Sequence, residues 1–214
     1  MVVAPAGIFA LLCLWSLQIG ADEPQPWQSW VALAGVLLAA SYAAVTLWLQ
    51  SRRRRRLSDP TYLYWRVAML SLIAIAVSWL VFTLVPELRE HPRAPVWIGV
   101  LAIPGLFLSV IAGMLYKIMP FLNWLHLQHQ GGKAMPPPNM KQMIPEPAML
   151  WQMRLHFAAL VLLLAAVIWP QLALPAGLVF AAACVWLEWN LVGAARVYAR
   201  FRDMIRERHG AAAG

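Results

Sequence analysis

LWQMRLHFAALVLLLAAVIW, residues 150–169, is followed by the turn PQLALP (170–175) and by AGLVFAAACVWLEWNLVGAARVY (176–198). A hydrocarbon core of roughly 30 Å takes about 20 mostly apolar residues to cross as a helix rising 1.5 Å per residue, and each run supplies that length. The short turn makes the two runs antiparallel neighbours. Trp151 and Trp169 stand 18 residues apart, about 27 Å of helix, which puts an amphipathic ring at each headgroup level. The stretch therefore reads as a transmembrane hairpin, and the fold class as an all-α, polytopic membrane helix bundle.

The rest of the chain agrees with this reading. Of 214 residues, 62% are hydrophobic and 12% are charged, against about 25% charged in an ordinary soluble domain. Six spans are expected in one integral membrane domain, 1–214, near 2–20, 30–49, 67–86, 96–115, 150–169 and 176–198. The first is read as a retained helix, because its opening residues lack the basic n-region and clean cleavage site of a signal peptide. Trp30 and Trp48 bracket the second span as Trp151 and Trp169 bracket the fifth.

Basic residues resist translocation, so their distribution sets the orientation. Fifteen fall on one side: Arg52 to Arg56, Arg66, Lys117, Lys133, Lys141, Arg154, Arg196, Arg200, Arg202, Arg206 and Arg208. Arg89 and Arg93 fall on the other, with Asp22, Glu23, Glu87 and Glu90. Both termini are thus expected in the cytoplasm, with a Met/Pro-rich loop, 129–149, on the cytoplasmic side. The five-arginine run follows a span directly, which marks it as a topological stop and a contact for anionic headgroups rather than for nucleic acid. Cys13 and Cys184 lie in apolar runs and imply no disulfide framework. No phosphate loop, nucleophile elbow, zinc-protease helix or Cys-x-x-Cys motif occurs.

Helix faces carry further expectations. Gly35, Ala39 and Ala43 form a small-residue stripe, the kind of surface on which membrane helices approach closely, within the chain or between chains. Pro104-Gly105 predicts a kink, with a hinge as the sharper alternative.

The chemically dense region runs from Met114 to Asn190. Seven of the ten methionines lie between Met114 and Met153, with His126 and His129, and His156 follows. If the fourth span continues as a helix past Lys117, His126 and His129 at i and i+3 share a face and can reach one ion or partner. Imidazole suits copper, zinc or haem iron, and thioether sulfur suits Cu(I) or a haem axial position. Adaptable packing is the plainer role of the methionines. Lys117 is a snorkelling base or a partner for an acidic headgroup or haem propionate, and Asn123 adds hydrogen-bonding capacity. Glu188 lies about ten residues inside the basic end of its span, too deep to snorkel easily, and a buried acid needs a partner. Arg154 or His156 is expected to pair with it, with Asn190 nearby, as a structural ion pair or as part of a proton relay, quinone or cofactor site.

The stretch 113–128, GMLYKIMPFLNWLHLQ, followed by PNMKQMIP at 138–145, resembles a segment of uncharacterised bacterial inner-membrane proteins that are themselves distantly similar to subunit I of haem-copper oxidases. The resemblance covers about 30 residues. It implies a respiratory or haem/copper-related accessory role and marks Lys117 to His126 as the region of interest. An oxidase core of that family uses more spans and more intramembrane histidines than this chain provides. The expected function is therefore binding, as an accessory or assembly partner of other membrane subunits or of itself. A small dimeric transporter that uses an intramembrane carboxylate is the alternative.

Overall fold

The computed structural model describes residues 26–52, 60–131 and 137–213. The expected first span, Cys13, Arg53 to Arg56, Lys133 and Met135 lie outside them. The described residues form helices joined by short turns, without strands. Helices α1 (Pro26–Ser51) and α2 (Pro60–Leu84) make a first hairpin, followed by the single turn α3 (Pro86–Arg89). Then α4 (Ala94–Val100), a π-helical stretch (Leu101–Leu108) and α5 (Ser109–Gly131) run on as one rod. After the turn α6 (Met140–Met143), helices α7 (Glu146–Ile168) and α8 (Ala173–Ala213) form the second hairpin, with a 3-10 turn (Pro170–Leu172) between them.

Among the described residues, five helices are long and apolar enough to cross a membrane: Trp27–Ser51, Pro60–Leu84, Ala94–Gly131, Glu146–Ile168 and Pro170–Arg208. The chain is a membrane protein. These helices overlap the last five expected spans, although the boundaries differ for local reasons. α2 starts at Pro60, whose fixed φ suits a first helical turn, and it ends before Val85, where φ is −126° and Pro86 begins the next turn. The rod does not stop at 115 but continues to Gly131, so His126 and His129 are helical and the expected loop from 129 begins later.

The bundle core consists of α2, the rod, α7 and α8, while α1 packs on α2. α1 ends and α2 begins at one end of the bundle, where Tyr62 Oη donates to Gln50 O at 3.5 Å. The rod and α8 run parallel and end there too, and α7 starts there. This is the basic end. At the far end Arg93 Nη1 donates to Val167 O at 3.3 Å and Ile168 O at 2.8 Å. These are carbonyls that the end of α7 leaves without intrahelical partners. That bond accounts for an arginine on the side where arginines are scarce.

Close approach, rather than apolar burial, holds helices together in lipid. The rod meets α2 at Gly105 and Gly113, both buried, and Ser109 between them is buried against His156 of α7. A Cβ at Gly105 would stand 2.6 Å from Ser71 Oγ, and one at Gly113 would stand 3.0 Å from Tyr64 Cβ. The expected stripe on α1 contributes less. Ala43 is fully buried beside Ala68 and Met69, whereas Gly35 has nothing near it. Pro104 produces the expected distortion in a specific form. It has no N–H to give and its ring collides with the carbonyl of the preceding turn. The helix widens to π geometry around it.

The rod is 38 residues long and α8 is 41, about 57 and 61 Å at the standard rise. Both extend well beyond the hydrocarbon thickness at the basic end. There Leu127, Met143, Ile144, Ala194 and Ile205 form a buried apolar core, with Trp124, Val197, Tyr198 and Phe201 packed on it.

Candidate functional site

Where the rod, α2, α7 and α8 converge towards the basic end, the centre of the bundle is polar. Gln152, 1% exposed, is the hub. Its Oε1 accepts hydrogen bonds from Tyr64 Oη and, at 3.3 Å, from Tyr116 Oη. Its Nε2 donates to Ala183 O at 3.0 Å. Asn190 Nδ2 donates to Tyr116 Oη at 2.9 Å. One uncharged network thus joins all four core helices. A buried amide without partners in lipid would cost several kcal/mol, on the order of the penalty for any unsatisfied polar group there. The network avoids that cost.

Deeper in the bundle, His156 Nε2 lies 2.9 Å from Ser109 Oγ. Ser109 Oγ in turn donates to Pro104 O at 3.2 Å. With the hydroxyl hydrogen directed at that carbonyl, Ser109 accepts from His156, which places the imidazole hydrogen on Nε2. The Tyr64 ring stands between the two polar groups, its centroid 6.1 Å from Tyr116 and 5.6 Å from His156. The π-helical stretch is thus tied by its own carbonyl to a histidine on a different helix.

The expected site residues do not converge on this centre as a set. Asn190 and His156 belong to it. Glu188 does not: it is exposed, and it makes no ion pair with Arg154 or His156. Two geometric facts separate them. Ala183, Leu187, Asn190 and Ala194 form the buried stripe of α8, and Glu188, one residue from Leu187, is turned about 100° away from it. The Gln152–Ala183 bond also sets the register of the antiparallel pair, so Glu188 is level with Pro147, about 10 Å along the axis from Arg154. Arg154 is exposed and stacks on Trp151, its guanidinium 4.8 Å from the ring centroid.

His126 and His129 share the exposed side of α5. His126 Nδ1 lies 2.8 Å from Tyr198 Oη and its Nε2 lies 3.1 Å from Gln130 Nε2, with the His126 and Tyr198 rings stacked at 5.6 Å. Lys117 is exposed nearer the bundle. Asn123 Nδ2 donates to Ala194 O at 3.4 Å and ties α5 to α8.

Among the described residues these donors are not gathered around a single haem or copper centre. Both ring nitrogens of His126 are engaged, and Ser109, which holds His156, is 17 residues from His126 along α5, about 26 Å. No group of three or more His, Cys, Asp or Glu side chains is placed to hold a metal ion among the described residues. Met143 is buried in the apolar core, and Met149 and Met153 pack against it.

Sequence reasoning missed Tyr64, Tyr116, Gln152 and Ser109. An uncharged amide in the middle of an apolar span was a usable signal, since Gln152 also requires partners. No known family model, characterised protein or solved structure matches this chain.

Proposed function

We propose that this chain is an inner-membrane protein of a bacterium, with both termini in the cytoplasm, that acts by binding as an accessory or assembly partner in a respiratory pathway. The observation that carries the reading is the state of the interior. Tyr64, Gln152, Tyr116 and Asn190 satisfy one another, and His156 is held by Ser109. Such groups lock four helices in register: the tyrosines and amides are committed to one another, and His156 Nε2 to Ser109. The one acid that motivated a transport reading, Glu188, is exposed on the outside of the bundle. What is left for recognition is surface.

The respiratory part rests on the resemblance of 113–128 and 138–145. Its support is that these two separated stretches pack as one unit, with Leu127, Met143 and Ile144 buried in the same core. Beside that core lies the hydrogen-bonded His126–Tyr198 pair, an exposed surface for a partner subunit. Deletion of the gene is expected to lower the terminal-oxidase activity and the haem and copper content of the membranes. Wild type restores them, and the double variant His126→Ala/Tyr198→Ala, inserted at normal levels, does not. Unchanged oxidase activity after deletion would overturn the reading, and so would solute flux through vesicles containing the purified chain alone.

A further inference from the structure

At the basic end, four arginines lie over aromatic rings on four helices: Arg52 over Trp48 at 4.2 Å, Arg66 over Tyr62 at 5.8 Å, Arg154 over Trp151 at 4.8 Å and Arg196 over Trp189 at 5.5 Å. Exposed tryptophans and arginines gathered towards one end of the bundle mark the region where headgroups meet the protein. One member of this belt opens onto a cleft. Glu146, Pro147, Leu150, Trp151 and Arg154 line a shallow space of about 340 Å³ at the start of α7. Glu146 and Arg154 both face it, yet they do not pair with one another. A cation and an anion held apart across an open cleft at the membrane boundary suit a ligand that carries both charges.

We propose that this cleft seats the headgroup of a phospholipid with a primary amine, of the phosphatidylethanolamine class. The planar guanidinium of Arg154 forks onto the phosphate. Its orientation is set by the Trp151 ring beneath it. The carboxylate of Glu146 accepts from the ammonium, which lies two methylenes from the phosphate. Leu150 and Trp151 supply an apolar wall for the glycerol and the first acyl carbons. Arg154 leans towards the start of α7, as side chains on a helix do, and so towards Glu146. A glycerol headgroup has no cation for Glu146 and brings its phosphate charge close to the carboxylate. A choline headgroup has the cation but no N–H to donate. This assignment is independent of any respiratory role.

The test is lipid retention by the full-length protein in nanodiscs with equal amounts of ethanolamine, glycerol and choline phospholipids of identical acyl chains, read by native mass spectrometry after release. The ethanolamine lipid is expected to be retained about threefold over each competitor, the scale of one partly exposed ion pair. Glu146→Gln is expected to abolish that preference while glycerol lipid is still retained. Arg154→Gln is expected to lower retention of all three lipids without changing the melting temperature. Soluble phosphoethanolamine at equal concentration is expected to displace nothing. Retention of glycerol lipid at or above the ethanolamine lipid would overturn the proposal, as would an unchanged ratio in Glu146→Gln. Displacement by the soluble headgroup would assign the cleft to a free metabolite instead.

Discussion

The rod and α8 each pass through two environments, and the same helices reverse their logic between them. At membrane level the inside carries a polar cluster, with Gln152, Ser109, His156 and Asn190 buried among small and apolar residues such as Ala112, Ala159 and Leu160, while Ile103, Phe107, Val185 and Leu178 are exposed. Beyond the basic end the inside is apolar, with Leu127, Ile144 and Ile205 buried, while Gln128, His129, Arg200, Asp203 and Arg206 are exposed. In lipid, apolar side chains gain little by turning inward, so contact is driven by small residues and hydrogen bonds. In water the hydrophobic effect returns and the pattern inverts. A structural rule taken from one half of a helix therefore misreads the other half.

The sharpest way to break this comparison is to place a charge on the outer surface of each half. Phe107, 61% exposed, and Met204, 39% exposed, are both apolar and both outward. Phe107→Asp is expected to cost about 3–4 kcal/mol of insertion free energy, since aspartate at a helix centre is disfavoured by about 2.5–3.5 kcal/mol and phenylalanine is favoured. Met204→Asp is expected to fall within about 0.5 kcal/mol of wild type. A glycosylation-reported insertion assay measures the first, and thermal unfolding in detergent measures the second. Equal effects would dissolve the distinction between the halves. Next in size is Leu127→Ala in the projecting core, where Leu127 is fully buried. Loss of such a side chain costs about 2–5 kcal/mol. Limited proteolysis is expected to clip the projecting half of this variant while the membrane-level helices stay protected.

What the sequence disclosed and what it withheld follow from the same comparison. The later spans were legible because length and apolarity decide membrane crossing, and both are one-dimensional. Pro104 announced a distortion, though its π geometry needed the neighbouring carbonyls to be seen. Which face of a helix turns inward was not legible at membrane level. Gly35-Ala39-Ala43 and Gly105-Ser109-Gly113 have the same spacing, and hydropathy does not separate them because lipid and protein interior are equally apolar. Only the second meets a neighbour along its length. Glu188 was misread for the same reason: its depth was counted along the helix, and its face, one residue off the buried stripe, was not. In the hub, attention to ionisable groups passed over Gln152, which carries no charge but binds three helices.

Glycine separates the halves at the next smaller scale. Gly105→Ala would drive a methyl group onto Ser71 Oγ at 2.6 Å and Ser71 Cβ at 3.0 Å, and overpacking of this kind costs about 1–3 kcal/mol. Ser71→Gly in the same chain is expected to recover most of the loss, which a double-mutant cycle of unfolding free energies reads directly. Gly193, where α8 leaves the bundle, has nothing within 4 Å of a Cβ. Gly193→Ala is expected to gain about 0.5–1 kcal/mol from helix propensity alone. Opposite signs for one substitution would confirm that contact, and not glycine itself, is what matters at Gly105.

The smallest contrast removes one oxygen from each half. Tyr116 Oη accepts from Asn190 and donates to Gln152 inside the bundle, so Tyr116→Phe leaves the Asn190 amide facing a ring edge in the buried centre of the bundle. Hydrogen bonds between membrane helices average about 0.6 kcal/mol and reach about 1.7, and this one joins a network, which places the expected loss near the upper figure. Tyr198→Phe removes the bond to His126 on an exposed surface. Water replaces the lost partner there, and the change is expected to stay below about 0.5 kcal/mol. Unfolding of both variants in the same detergent compares them without a change of reference state. If Tyr198→Phe proved the costlier, the His126–Tyr198 pair would be clamping the two projecting helices together, and the polar centre at membrane level would not be what sets the register of the bundle.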